Sequence, residues 1–447
     1  MIAIGGSTII DCRVNEEGEA RPFMRNFRYH IAMLIGLQLL VFVAYHDIPK
    51  LPLSSVMDFE VLDDARMLSL NPGSLLLHLG TLFSQPLLRL AFMWEYMAFG
   101  INPLGYMVVN LVLHGLNAFV LYLLVNMLFH RSRIAIPAAT LFALSVGHYG
   151  KVLLVVAGLE SLLLGFLYLL SLYALIRVDF KHGGRMSSPW FWLGLGLFGL
   201  AGLTKPAMFS IMLVLVAYKF FFYRERGGRA VFPPTMMILM AVGVAFAVAK
   251  ELWGFKDVGA SPDHLGFFAG IFHSVKTLFR YLNLMVFPMQ VSDLLQSSHP
   301  VVRFVYDWRV PIRVLVSLAI VSFGFFGIIF GSRPLRFFIS WTVITVIPFS
   351  VVDRSGDWLN LQYLYLSAAG FCVILSAGAT GCYGLLQAHR WKRWLPWLAP
   401  AAFVFMTQVL NHELAQRNRI SAERPAVRVL RGLLEYRIEN RTETPAP

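Results

Sequence analysis

Apolar runs near the length of a bilayer crossing recur along almost the whole sequence, separated by short polar breaks. A transmembrane helix needs ~20 such residues. Helices and closed barrels are the only folds that satisfy every backbone group in lipid, and the alternating segments of a barrel are absent. The runs therefore predict an all-α polytopic membrane protein. They lie near 27–46, 104–129, 134–149, 152–177, 189–204, 206–223, 231–250, 309–330, 336–352, 364–386 and 394–411. That makes about 11 transmembrane helices, with 12 possible because the segment 266–288 is ambiguous. Composition agrees: 14% of the residues are charged, against about a quarter in a soluble domain.

Lys and Arg set the expected orientation. The tail 1–26, the connection with Arg131 and Arg133, that with Arg177, Lys181 and Arg185, and that with Lys219, Arg224, Arg226 and Arg229 fall on one side of alternate spans. That side reads as the cytoplasm, and it accounts for the net charge of +13 without nucleic acid, for which no basic–aromatic module is present. The domain 27–411 then has an outer loop, 47–103, long enough to carry interfacial helices, and an outer region, 251–308, with a C-terminal tail at 412–447. In 266–288, His273, Lys276 and Arg280 share one helix face. A charge at mid-bilayer costs about 2.5–3.5 kcal/mol, so an amphipathic helix in the outer interface is expected, which puts the tail outside. The tail's own arginines, Arg417, Arg419, Arg424 and Arg428, argue for the other side. The N-terminus lacks a cleavable signal, so the first span is expected to serve as an anchor.

The three cysteines imply no disulfide or metal framework, since Cys372 and Cys382 stand roughly 15 Å apart on one helix. Glycines recurring in the spans (Gly196, Gly199 and Gly202; Gly327 and Gly331; Gly378, Gly381 and Gly384) predict close helix packing.

The carboxylates stand out. FEVLDDARMLSLNP, at 59–72, puts Asp63 and Asp64 side by side in the first outer loop. Neighbours on a helix point about 100° apart, so one carboxylate can face a reacting hydroxyl while the other meets a basic partner. The alternative is a solvated loop.

The segments C-terminal to the pair are more specific. SQPLLRLAFMWEYMAFGINPLGYMVVNLVLHGLNA (84–117), FALSVGHYGKVLLVVAGLESLL (142–163), LTKPAMFSIMLVLVAY (203–218), RYLNLMVFP (280–288) and QYLYLSAAGF (362–371) occur in that order. Together with the Asp-Asp they resemble membrane glycosyltransferases of the C superfamily, most closely the branch of the transmembrane and tetratricopeptide-repeat O-mannosyltransferases, allied to the protein O-mannosyltransferases. No repeat array fits in the short tail, since one repeat takes about 34 residues.

The resemblance implies transfer of a sugar from a polyprenyl-phosphate donor to an acceptor hydroxyl, outside the cytoplasm and with inversion. The acceptor is unknown: protein, glycan or lipid. It also implies that the first outer loop supplies the catalytic Asp. On this reading Asp63 is the base and Asp64 its orienting neighbour. No D-x-D or Walker motif occurs, and the G-x-G-x-x-G string at 194–199 falls inside the apolar run 189–204 rather than in a loop, so neither a metal nor another cofactor is indicated. A departing phosphate needs cations on the face that carries the carboxylates. Lys205, in a T-K-P turn, is the leading candidate, followed by Arg89, Arg280, Arg354, and His148 with Lys151. Tyr363 and Tyr365 offer hydroxyls, and Glu160, read as lying within an apolar span, is expected to face a cavity or a partner.

Blander roles stand beside these. Lys205 can snorkel; Arg89 and Arg280 can anchor lipid headgroups; His148 can cap a turn. Asn110, His114 and Asn117 share one helix face, where interhelical hydrogen bonding is expected. Gln85 and Gln362 stand where the family often has Arg, and Gly150 where it has Glu. These departures keep a catalytically degenerate lipid-binding or scaffold protein as the alternative. A transporter fits less well, since the charges crowd one face and no inverted repeat is evident. The expected location is a bacterial inner membrane, in contact with its lipids, with the site facing the periplasm or exterior.

Overall fold

A computed structural model of the chain describes residues 22–73, 85–145, 152–182, 187–223, 267–286, 307–352, 361–386 and 392–439. Within them the regular structure is helical, with no strand. The predicted span 231–250, together with His148, Gly150, Lys151 and Arg354, lies outside the described residues.

The helices are α1 (Pro22–Ala44), α2 (Val56–Leu70), α3 (Pro86–Phe99), α4 (Pro103–Phe129), α5 (Ser132–Ser145), α6 (Leu159–His182), α7 (Pro189–Gly202), α8 (Ser210–Tyr223), α9 (Phe267–Val286), α10 (Arg309–Phe330), α11 (Arg333–Val352), α12 (Tyr365–Leu385), α13 (Leu398–Ala422) and α14 (Pro425–Glu439). Among the described residues five stretches, in α1, α4, α6, α10 and α12, are long and apolar enough to cross a membrane. The chain is a multi-pass helical membrane protein. Helices α5, α7 and α8 are apolar but short, at 14 residues each, or about 21 Å.

Two polar ends emerge. At one, Glu160 at the start of α6 meets Lys205 after α7, and Phe349 near the end of α11 stacks on Tyr363 before α12. At the other, Lys219 of α8 pairs with Asp179 of α6, and Thr380 of α12 donates to the Arg133 carbonyl at the start of α5. Helices α2 and α3 lie at the first end, in the loop expected to carry interfacial helices. The C-terminal helix α14 packs on α2, Arg431 donates to the Leu53 carbonyl, and Asn418 of α13 donates to the Leu154 carbonyl. The C-terminal tail therefore shares a face with the first long loop. Helix α13 also runs on past 411, the expected end of its span, to Ala422.

Helix α9 buries Thr277, Tyr281 and Leu284 and packs on α10 and α11, while Lys276 is exposed. It is not among the helices long and apolar enough to cross. The polar stripe of α4 is interhelical, as expected. Asn110 donates to the Val155 carbonyl and Asn117 to the Leu162 carbonyl and the Tyr365 hydroxyl. His114 bridges the Ala143 carbonyl through Nε2 and the Tyr365 hydroxyl through Nδ1. Because a carbonyl only accepts, Nε2 carries the proton and Nδ1 accepts from Tyr365.

The glycine expectation is corrected at most positions. A Cβ at Gly196, Gly199, Gly378, Gly381 or Gly384 meets nothing within 4 Å, whereas at Gly327 it falls 2.6 Å from Ile339 and at Gly331 2.2 Å from the Gly327 carbonyl of its own hairpin. The tight helix contacts lie elsewhere, at Gly115 against Gln38 and at Gly370 against Thr342. Spacing alone marks glycines on one face and does not say whether that face meets a helix or lipid.

Candidate functional site

Helix α2 starts at Ser55, whose amide donates to the Asp58 carboxylate at 3.3 Å, the back-reaching half of a capping box. The same carboxylate reaches across the fold. Its other oxygen accepts from the amides of Val156 and Ala157, at 2.8 and 3.3 Å. Asp58 is 1% exposed, and burial outweighs these bonds, pushing its carboxyl up from 3.8 to about 6. It clamps α2 to the turn that leads into α6. Gly158 belongs to that turn: a Cβ there lands 1.7 Å from the Val152 carbonyl oxygen.

With α2 fixed, its faces are fixed. Met57, Val61, Asp64, Ala65 and Leu68 share one stripe and line a cavity of about 340 Å³. Helix α3 adds Leu88, Arg89 and Phe92, preceded by Gln85. The floor is Ala157 and Glu160. The structure thus divides the acidic pair. Asp64, with a side chain 57% exposed, opens on the cavity and lies 3.5 Å from Arg89. Asp63 turns away: Arg66 meets one of its oxygens at 3.3 Å and Arg437 of α14 meets the other. Arg66 also donates to the Arg437 carbonyl, at 3.2 Å.

Beneath the cavity a second group continues inward. Glu160 is the second residue of α6, so it stands at the N-terminus of that helix, near one end of the stretch Val156–Asp179 that is long and apolar enough to cross. That position favours a carboxylate. Its Oε1 accepts from Lys205 Nζ at 2.7 Å and from Gln85 Nε2 at 2.9 Å. Gln85 makes that bond from a left-handed backbone, φ 84°, an uncommon conformation for a residue with a side chain. Such strain costs about 1–3 kcal/mol and concentrates at functional sites. Lys205 also lies 4.7 Å from the centre of the Tyr363 ring, which stacks on Phe349 at 4.2 Å.

Of the residues singled out from the sequence, Asp64, Arg89 and Glu160 line one cavity, Lys205 joins it through Glu160, and Tyr363 joins it through Lys205. Asp63 and Arg280 are not in its lining. Arg280 sits beside Tyr281, whose ring is 6.5 Å from that of Tyr363. Tyr365 is occupied in the core by His114 and Asn117. His148 and Arg354 lie outside the described residues. Among the described residues no cluster of His, Cys, Asp or Glu is placed to hold a metal. Asp58 contributes to the site without being singled out in the sequence, and Gln85, noted there as standing where the resembled family often has Arg, contributes as well. The Ser55-x-x-Asp58 spacing is the available signal for the first; the position of Gln85 just before the Pro-Leu run is the signal for the second.

No protein-family model matches the chain and no solved structure does. Protein O-mannosyl-transferase TMTC4 of Mus musculus is 25% identical over 355 residues, covering 67% of this chain and 46% of that protein. The Homo sapiens protein of the same name is 25% identical over 353 residues, with the same coverage. The chain thus spans about half the length of the curated relatives it matches.

Proposed function

We propose that this chain is a membrane glycosyltransferase that moves a sugar, on the mannosyltransferase pattern, from a polyprenyl phosphate to an acceptor hydroxyl, with inversion. The observation that carries the reading is the cavity joining Asp64, Arg89, Gln85 and Glu160, with Lys205 behind it, in a chain similar to O-mannosyl-transferases.

Asp64 is the general base, since it faces the cavity while both oxygens of Asp63 are engaged by arginines. Its carboxylate takes the acceptor's proton, the acceptor oxygen bonds to the anomeric carbon, and the bond from that carbon to the phosphate oxygen breaks. The electron pair leaves with the polyprenyl phosphate. Arg89 and Lys205 counter the charge that grows there. Asp63 holds α2 against α14, and Asp58 holds it against the turn before α6. Glu160 and Gln85 keep Lys205 in place.

The topology proposed is 11 crossings. From α1 to α8 the described helices alternate between the two polar ends, and α8 finishes away from α2. Helix α11 ends beside Tyr363, so α10 begins on the α2 face. An odd number of crossings must join α8 to α10, which supports 231–250 as a span and α9 as interfacial. By the positive-inside pattern the cavity faces away from the cytoplasm, and a bacterial inner membrane is the proposed location.

The test is a transfer assay with the purified protein, polyprenyl-phosphate mannose and a hydroxyl acceptor. Release of polyprenyl phosphate matched by product supports the reading; turnover from a nucleotide sugar alone overturns it. The second reading, a non-catalytic lipid binder, draws on the carboxylates already paired with Arg89 and Lys205 and on the neutral Gln85. Donor binding without transfer across several lipid-phosphate sugars selects it.

A further inference from the structure

A second cavity, of about 520 Å³, opens where the turn after α1 meets the junction of α13 and α14. Its charged lining is Lys50, Arg419, Arg428, Arg431 and Glu423, with Pro52 and Ala422 as the apolar part. Four cations from three separate elements converge on one space that holds a single carboxylate. We propose that this cavity binds a phosphate-bearing anion, apart from the site lined by Asp64 and independently of any transfer there.

The cations are poised for a ligand. Arg419 and Arg428 have no side-chain hydrogen bond or ion pair among the described residues. Lys50 has only the exposed Asp47, at 3.4 Å, and that carboxylate also feels the charge of Arg419. Arg431 donates from one end of its planar fork to the Leu53 carbonyl at 3.4 Å, which leaves the rest of the fork available. Arg428 and Arg431 are three apart on α14 and share a face. Guanidinium groups bind phosphate oxygens in pairs of parallel bonds, and an ammonium adds a point charge. With the cavity unfilled, these like charges repel one another; a multivalent anion reverses that and ties α13, α14 and the 48–52 segment together. The ligand chemistry is a phosphate, carried either on a lipid headgroup or on a water-soluble molecule.

The experiment uses the full chain in nanodiscs and reads thermal unfolding. One arm adds inorganic pyrophosphate to phosphatidylcholine discs, with sodium chloride at matched ionic strength as the control. The other replaces part of the phosphatidylcholine with phosphatidylglycerol. The proposal expects a rise in Tm in at least one arm and its loss in the Arg419→Gln/Arg428→Gln variant, whose own Tm without added anion is at or above that of the wild type. Each arginine removed weakens binding about tenfold or more. A shift with pyrophosphate identifies a soluble phosphate as ligand, and a shift with phosphatidylglycerol alone identifies a headgroup. No shift in either arm, or an equal shift in the double variant, overturns the proposal. Lys50→Gln serves as the variant if the double one does not fold. Neither readout involves sugar transfer, so failure here leaves the proposed activity standing, and the reverse.

Discussion

Replacing Asp58 by Ala separates two effects that the fold sets against each other. The carboxylate accepts from Val156 and Ala157, both buried, and from Ser55, which water can reach. Removing it orphans two buried amides at about 1–3 kcal/mol each, about 4 kcal/mol together. Burial opposes this, because it raises the carboxyl from 3.8 to about 6. The sign comes from linkage. With the folded value above the unfolded one, the wild type is most stable below about pH 4 and loses stability as pH rises to about 6. The loss is roughly 3 kcal/mol, at 1.36 kcal/mol per unit, and is constant above that. Ala has no such slope. The cost of Asp58→Ala is therefore about 4 kcal/mol at low pH and only about 1 kcal/mol at neutral pH. Denaturant unfolding of wild type and variant in mixed micelles at pH 4 and pH 7.5 measures the difference. A cost that is equal at both values, or larger at pH 7.5, refutes the claim that burial outweighs the clamp's hydrogen bonds.

Three further predictions use the same geometry. Glu95 on α3 is 8% exposed with neither oxygen partnered among the described residues, and burial pushes it up to about 8. Wild-type stability should fall as pH rises from about 4.5 to 8, by roughly 3 kcal/mol at pH 7, and Glu95→Gln should remove that slope in an unfolding series across this range. For Lys205 and Glu160, with side chains 14% and 18% exposed, a double-mutant cycle with Lys205→Met and Glu160→Gln should give a coupling of about 1–3 kcal/mol in unfolding free energy; a coupling near zero removes the pair from the site's framework. Gly158→Ala should disrupt the turn before α6, because the added Cβ falls 1.7 Å from a backbone oxygen. A loss above about 3 kcal/mol is expected, and hydrogen exchange at 155–160 should rise.

Among the described residues, five of the apolar runs form helices long and apolar enough to cross because lipid demands such runs, and 266–288, with its stripe of His273, Lys276 and Arg280, forms a helix that is not among them. The start of α6 was not legible. Residues 152–158 are as apolar as a span, yet they form a buried turn around Gly158, and hydropathy does not distinguish a buried turn from a buried helix. Glu160 therefore stands in the first turn of the helix, near one end of the apolar stretch rather than at its middle. The tail's side was undecided by Arg counting, because Arg417 pairs with Glu413 of its own helix and Arg419 and Arg428 line a cavity with Lys50 on the α2 face. The acidic pair was found by position, but which carboxylate meets the cavity depends on the rotation of α2. That rotation is set by Asp58 and by contacts some 100 and 370 residues away in the chain, with Val156 and Arg437.

The measurement that bears most directly on the proposed activity is the initial rate of sugar transfer from polyprenyl-phosphate mannose by Asp64→Asn and Asp63→Asn, each compared with wild type at saturating donor. Loss of a general base costs about 10²–10⁴ in rate, so Asp64→Asn is predicted to fall by that much. Asp63→Asn, which loosens only the contact between α2 and α14, is predicted to keep turnover within about tenfold of wild type. Equal rates for Asp64→Asn and wild type, or the larger loss in Asp63→Asn, contradict the assignment of Asp64 as the base.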